Sequence, residues 1–393
     1  MKTFLTPTLL VVSFISFCTD IATEMLYPVL PLYLASVGYG VVVIGALEGF
    51  SEAFSGLNKV FFGHISDQTG KRNIFMKIGY ALSAISRPLM GATTSAWGIF
   101  GAKFADRIGK GIRTAPRDAI IVSESTPETR GRAFGFHRTL DALGAVIGPI
   151  LGALILIVHP GNYRAVFFYA VIPGVIAVAL TFLLKKEPAL PTGAIKKRGP
   201  SLKAFATFWK QSSKTYKQMV VGFTLFALIN SSNVFLILRA KELGLSDLWV
   251  LGAYVVFNIV AALFAFPLGI WGDKYGFKWM YVFGLFVFAL SYGLFGFGLA
   301  STWALIALFA LYGIFASVND GTAHAWLSLH VPAEYKATGL GLQMTLSSLA
   351  FFAASLFTGI LWKQVGSSLT FTILSLATVI MILYFALLRF ESK

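Results

Sequence analysis

The chain has 393 residues, 56% of them hydrophobic and 12% charged, with a mean hydropathy of +0.75. That balance excludes an ordinary soluble domain and makes a bilayer the natural solvent. The net charge of +15 and pI near 9.8 would suit a nucleic-acid binder, but the cations are gathered in alternate polar breaks between apolar stretches. Positive-inside bias and anionic lipid headgroups account for that distribution without nucleic acid.

About 20 apolar residues span the roughly 30 Å of a hydrocarbon core. Taken in chain order, the apolar stretches predict transmembrane helices at 7–35, 41–62, 73–93, 97–120, 133–158 and 162–184, and then at 218–239, 247–270, 278–299, 302–326, 338–362 and 367–389. The first begins like a signal peptide, with Lys2 before an apolar run. No small-x-small cleavage site follows, and Asp20 and Glu24 lead into more apolar residues, so it reads as an uncleaved first helix. Residues 1–184 and 218–393 form two six-helix halves, joined by a polar linker at 185–217 that carries many lysines and Pro188, Pro191 and Pro200.

Lys71 and Arg72, Arg130 and Arg132, the linker, Lys274 and Lys278, and Lys336 all fall on one side with both termini, which makes that side cytoplasmic. The opposite loops carry few charges, with Arg164, Arg239, Lys241 and Lys363 as exceptions. The single cysteine, Cys18, excludes an intramolecular disulfide and a cysteine-based metal site.

An internal repeat links the halves. Gly63-His-Ile-Ser-Asp67-Gln-Thr-Gly70-Lys71-Arg72 is echoed by Gly269-Ile-Trp-Gly-Asp273-Lys274-Tyr-Gly276-Phe-Lys278, an offset of 206 (269 − 63). The same offset carries Glu128 to Glu334, Arg130 to Lys336 and Gly135 to Gly341. Parallel repeats about an axis along the membrane normal belong to transporters that bind substrate between their halves.

The Gly63–Arg72 segment resembles the loop signature of the major facilitator superfamily, with Gln68 where a basic residue is usual. The resemblance implies that Gly63, Asp67, Gly70, Arg72 and Asp273 take part in conformational gating, and that Gln68 weakens one interdomain charge contact. Arg107-Ile-Gly-Lys-Gly111 resembles the family's Arg-x-x-x-Gly signature, associated there with proton coupling. Gly144-Ala-Val-Ile-Gly148-Pro149 resembles the signature of the exporting, proton-antiport members. Small residues there let the fifth helix pack closely on a neighbour, Pro149 deforms it, and Gly148 and Pro149 join the residues expected to take part in conformational gating.

Charges inside the first-half spans cost about 2.5 to 3.5 kcal/mol each at a helix centre, so they must face a cavity or one another. Asp20 and Glu24 are four residues apart on one face, and Glu48 and Glu52 repeat the spacing in the second span. The fourth span is cation-rich, with Lys103, Arg107 and Lys110 on one stripe and Asp106, Lys110, Arg113 and Arg117 on the next. The fifth adds His137, Arg138 and Asp141. Asp20, Glu24, Glu48, Glu52, Arg107, Lys110 and Asp141 are the candidates for proton coupling and charge handling. A carboxylate paired with Arg107 could exchange protons as access alternates. For Arg113, Arg117, Asp118, His137 and Arg138, near the cytoplasmic ends, a functional role stands level with the plain alternative of packing ion pairs or residues wetted by the inner leaflet.

The second half lacks this charge. At the 206 offset Glu24 becomes Asn230, Tyr27 becomes Asn233, Glu48 becomes Tyr254 and Glu52 becomes Asn258. Tyr27 and Lys103, with Asn230, Asn233, Tyr254 and Asn258, are the candidate substrate contacts, and interhelical hydrogen bonding is the plain alternative for the asparagines. The five histidines show no metal-ligand spacing, and no phosphate-binding glycine loop or nucleophile constellation stands out, so neither metal, cofactor nor enzymatic activity is expected.

The expectation is an all-α membrane protein of twelve transmembrane helices in two pseudo-symmetric six-helix bundles, monomeric, in the cell inner membrane. It would act as a proton-coupled antiporter exporting a small anionic or zwitterionic molecule. A proton-coupled importer of a nutrient or metal-chelate would share the architecture, and a non-transporting membrane sensor is the alternative of another class.

Overall fold

The computed structural model describes residues 5–126, 129–184, 202–332 and 335–388, with the side chains of Leu57, Val60, His64, Asp67, Gln68, Leu202, Lys203, Ala204, Asp320 and Ala337 outside that description. Among the described residues there are helices and no strands, as hydrocarbon requires, because an isolated helix satisfies its own backbone. In order they are α1 (Pro7–Leu26), α2 (Val29–Ser36), α3 (Val41–Thr69), α4 (Arg72–Ala92), α5 (Ala96–Ser123), α6 (Arg130–Val158), α7 (Tyr163–Tyr169), α8 (Val171–Thr181), α9 (Leu202–Gln211), α10 (Lys214–Ala227), α11 (Val234–Glu242), α12 (Asp247–Tyr275), α13 (Phe277–Phe297), α14 (Thr302–Ser328), α15 (Lys336–Val365) and α16 (Ser367–Leu387).

Three of the expected single spans are broken. The first bends at Tyr27-Pro28 into α1 and α2, where proline lacks the N–H that would continue the ladder. The sixth divides into α7 and α8 just before Pro173. The seventh splits into α10 and α11, with 228–233 between them containing Asn230-Ser231-Ser232-Asn233, side chains that compete for backbone hydrogen bonds. The linker is not wholly irregular either, since α9 occupies its second part, while 185–201 lies outside the described residues.

Among the described residues, eight helical segments are long and apolar enough to cross a membrane. Of the remaining expected spans, α3, α4 and α5 carry several charges along their length and α10–α11 is broken in its middle. Outward faces are apolar, as lipid contact demands: Ile78, Ile85, Leu154, Val158, Phe266 and Ile380 are all exposed.

The chain forms two compact units, one of 1–33 with 54–199, the other of 34–53 with 200–393. In the first, α1 packs on α6, α4 on α5, and α8 on both α1 and α4. One core cluster joins Leu9, Val12 and Ile15 of α1 to Met76 and Tyr80 of α4, Ile120 and Ile121 of α5 and Ala177 of α8. In the second, α10 packs on α15 and α13 on α14. An aromatic core there includes Phe226, Phe288, Tyr292, Phe295 and Phe371.

The 206-residue repeat is visible in the helices themselves. α3, α5 and α6 begin at 41, 96 and 130, and α12, α14 and α15 at 247, 302 and 336. The pairings α1·α6 and α4·α5 recur as α10·α15 and α13·α14.

The motif segments are more helical than a loop. α3 runs through Gly63 to Thr69, and the turn proper is Gly70, whose φ of +66° favours glycine. Its counterpart Gly276, at +89°, turns α12 into α13. Gly63 serves packing instead: a Cβ there would stand 2.8 Å from that of Ala115 on α5. Arg72 opens α4, and Asp273 is exposed in the last turn of α12.

Candidate functional site

The first unit concentrates ionisable groups where α1, α4, α5 and α6 meet. α1 brings Asp20 and Glu24, both half-buried, to the α6 seam. That approach depends on α6 having no side chain at two positions one turn apart. A Cβ at Gly144 would lie 2.9 Å from the Phe17 carbonyl oxygen and 3.0 Å from Asp20 Cβ. At Gly148 it would lie 2.7 Å from the Ile21 oxygen and 2.9 Å from Glu24 Cβ. Pro149 is buried within the same continuous helix. Small residues thus do here what they do at membrane helix contacts generally: they let backbones close.

Asp141, from the preceding turns of α6, has Oδ2 at 3.4 Å from His137 Nε2 and 4.0 Å from Arg117 Nη1. Arg117 also donates to Ser16 Oγ of α1 at 3.0 Å and, from Nε and Nη2, to Asp118 Oδ1 at 3.0 and 2.9 Å. It therefore spans α1, α5 and α6. The charges acting on Asp20 include those of Asp141, Glu24, Arg117, Arg113 and Arg87. Arg113 is buried, donates to Ser83 Oγ, and lies with its guanidinium 4.9 Å over the Tyr80 ring.

A second knot lies between α4 and α5. Asp106 is buried with Oδ2 at 3.3 Å from Arg107 Nη2 and Oδ1 at 3.8 Å from Arg87 Nε. Arg87, only 1% exposed, donates through Nη2 to Thr23 Oγ1 at 2.8 Å and to the Thr19 carbonyl at 3.4 Å, both on α1. Buried charges survive only when paired and hydrogen-bonded, and this guanidinium joins three helices in doing so.

The expected groupings are thus rearranged. Arg107 meets Asp106, its neighbour in the chain, and is not among the main charges acting on Asp20, where Arg117 and Arg113 stand instead. Lys103 is buried and Lys110 half-buried on α5. Glu48 is buried and Glu52 exposed on the part of α3 that is grouped with the second unit, where Gly45 and Gly49 pack against Ser355 of α15. Arg113 and His137 are buried and not wetted end residues.

Arg87 had not been singled out from sequence. The signal was a lone arginine, followed by Pro88, inside an apolar helix. The serines that receive Arg113 and Arg117 carry no such mark.

In the second unit the broken segment holds Asn230 and Asn233, both half-buried. Asn233 Oδ1 accepts from the Tyr312 hydroxyl at 2.8 Å. Tyr312 stacks on Phe257, and Phe257 on Tyr254, with centroids 5.7 and 5.4 Å apart. Asn258 is half-buried one residue along α12. Ser232 N donates to Ser355 Oγ of α15 at 3.2 Å. The first unit bends its opening helix at the matching place, since Tyr27 and Asn233 are 206 apart (233 − 27), and Tyr27 caps α1. Interrupted helices at corresponding positions of two repeats mark where transporters hold substrate.

Arg239, expected in a loop, is buried in α11. It donates to the Phe295 carbonyl at 3.1 Å, Ser367 Oγ at 2.6 Å, Ser368 Oγ at 2.7 Å and Glu242 Oε2 at 3.1 Å. It clamps the ends of α11, α13 and α16.

The family model of the Major Facilitator Superfamily matches residues 12–260 and 219–393. The chain belongs to that superfamily. It is 35% identical over 367 residues to an uncharacterized MFS-type transporter of Methanocaldococcus jannaschii, covering 91% of this chain and 89% of the relative. The multidrug resistance protein MdtH of Salmonella typhi is 22% identical over 343 residues, 86% of this chain and 82% of MdtH. A POT family transporter crystallised with 5-aminolevulinic acid superposes with a TM-score of 0.79 at 16% identity, over 95% of this chain and 94% of its own, which carries the fold alone. This superfamily member is a multi-pass membrane transporter and not an enzyme.

Proposed function

We propose that the chain is a proton-coupled antiporter that exports a small anionic or zwitterionic molecule by alternating access, from the cell inner membrane, as a monomer with both termini in the cytoplasm. The observation that carries the reading is the α1–α6 seam, where Asp20 and Glu24 lie against Gly144 and Gly148 with Asp141 and Arg117 in the same network. Carboxylates that compete for one cation can trade a proton as that cation moves, and close glycine packing makes their spacing sensitive to helix motion. Distant likeness to MdtH, a multidrug resistance protein, supports the outward direction. The cations of α5, Lys103, Arg107 and Lys110, support a negatively charged group on the substrate.

In this mechanism the first unit handles protons and charge. Asn230, Asn233, Tyr254 and Asn258 at the broken helix and its aromatic wall, with Tyr27 at the matching bend, hold the substrate's neutral parts. Glu48 and Glu52, on the part of α3 grouped with the second unit, handle charge there. Gly63, Asp67, Gly70, Arg72 and Asp273 gate the cytoplasmic side, and Gly148 with Pro149 fixes the seam. The test is proton flux in proteoliposomes across a panel of organic anions, amphipathic cations and drugs, comparing wild type with Asp20→Asn, Glu24→Gln and Arg107→Ala. Substrate-dependent flux lost in the carboxylate variants is the expected result. Substrate movement with no accompanying proton flux in the wild type would overturn the coupling.

A further inference from the structure

His137 sits on α6 one turn before Asp141, 2% exposed, with its two ring nitrogens facing different helices. Nδ1 lies 3.3 Å from Ser13 Oγ of α1, and Nε2 lies 3.4 Å from Asp141 Oδ2 on α6 itself. Among the described residues, neither Nε2 nor the second carboxylate oxygen, Asp141 Oδ1, has a hydrogen-bond partner, although both are buried. The charged groups around the imidazole are Arg117 and Asp118 from α5, and Asp141 and Arg138 from α6, while Asp20 of α1 acts on Asp141. A ring used only for packing needs no second proton-capable partner. One whose nitrogens address a hydroxyl and a carboxylate can hold a proton on either.

We propose that His137 is a second proton-holding station of the transport cycle, exchanging its proton with Asp141. The inference rests on the proton-coupled reading above. The step is a single transfer. Protonated Asp141 gives its Oδ2 proton to Nε2, leaving a carboxylate beside an imidazolium whose Nδ1–H points at Ser13 Oγ. The reverse transfer restores the acid, and bulk water takes the proton when the site opens to solvent. Asp141 could then lose its charge-neutral state without the proton leaving the protein, so that release can wait for the conformational change. The half-ångström or so by which Nε2 and Oδ2 must close to hydrogen-bond distance makes the transfer dependent on the α6 backbone and on Arg117. One proton is shared between the two groups, so the state of the ring depends on whether Asp141 holds it.

The experiment needs no substrate. Protein labelled with ¹⁵N-histidine is reconstituted in lipid, and the imidazole signals are followed from about pH 4 to pH 10, bracketing histidine's ordinary range. The sequence has five histidines, so His137 is assigned by difference with His137→Gln. The expected result is a His137 signal that changes in two steps in wild type and in one step in Asp141→Asn, with Ser13→Ala altering the tautomer at Nδ1. A His137 signal that titrates identically in wild type and Asp141→Asn, or that stays neutral over the whole range, would overturn the proposal. Because the readout is protonation at a named ring, its failure leaves the flux test of proton coupling untouched, and failure of that flux test does not decide the ring's behaviour.

Discussion

The seam between α1 and α6 can be probed with one added carbon. In Gly148→Ala the new Cβ would stand 2.7 Å from the Ile21 carbonyl oxygen and 2.9 Å from Met25 N, backbone atoms that no rotamer change can move aside. Ordinary contact begins at 3.4 Å, so α1 must back away by about 0.7 Å (3.4 − 2.7). A gap of that size forfeits about a quarter to a half of each dispersion contact along the seam. Overpacking costs about 1 to 3 kcal/mol, and the better helix propensity of alanine returns about 1 kcal/mol, for a net loss of about 0 to 2 kcal/mol. Gly135, on the same helix with no atom of the described residues within 4 Å of its would-be Cβ, is the internal control, and Gly135→Ala should be neutral or stabilising. Thermal unfolding of the two variants in one detergent, with Gly148→Val as the larger perturbation, reads the contrast. The same displacement moves Asp20 and Glu24, so proton-coupled flux should fall in Gly148→Ala and persist in Gly135→Ala. If Gly148→Ala proves as stable as Gly135→Ala, the close-packed seam is not what holds these helices.

Arg87→Met should destabilise the first unit, because it removes one of the two guanidinium groups at buried Asp106 and the bonds to α1. The loss should be less than the cost of a fully orphaned buried charge, about 3 to 5 kcal/mol, since Arg107 stays 3.3 Å from Asp106. Asp106→Asn should cost less in the Arg87→Met background than in wild type by thermal unfolding, and strictly additive losses would argue against the pair. Arg239→Lys retains the charge but not the fork, so a single ammonium cannot reach the Phe295 carbonyl, Ser367 and Ser368 together. Two lost charge-assisted bonds should cost on the order of 3 kcal/mol in denaturant unfolding, and a wild-type midpoint would remove Arg239 from that role. Asn233→Ala and Tyr312→Phe break one hydrogen bond from its two ends, so in a double-mutant cycle of binding, for a compound that drives flux, they should couple by about 1 kcal/mol. Unchanged affinity in Asn230→Ala and Asn233→Ala would discard the second-unit substrate assignment.

Much of the fold could be read along the chain because its signals are local. Asp20 and Glu24 share a face by helical spacing alone, and Gly144 with Gly148 announced a close helix contact before its partner was known. Breaks were harder. Pro28 sat inside the expected 7–35 span and Asn230 to Asn233 inside 218–239, and neither was enough to show that the helix bends or stops there. Proline and asparagine are tolerated in membrane helices wherever neighbours satisfy the freed backbone groups, as Ser355 of α15 does for Ser232 N.

What the sequence determined by itself was the solvent, the number and placement of the apolar segments, the 206-residue repeat and the superfamily. Each follows from hydrophobic length or from turn residues at fixed spacing, and survives without knowing what touches what. The tertiary structure alone decided which charge meets which. Arg117 reaches Ser16 across 101 residues of chain, Arg87 reaches Thr23 across 64, and Arg239 reaches Ser367 across 128. A buried guanidinium takes whichever acceptors helix packing brings within about 3 Å. That choice depends on the rotation and depth of several helices at once, which no local run of residues encodes.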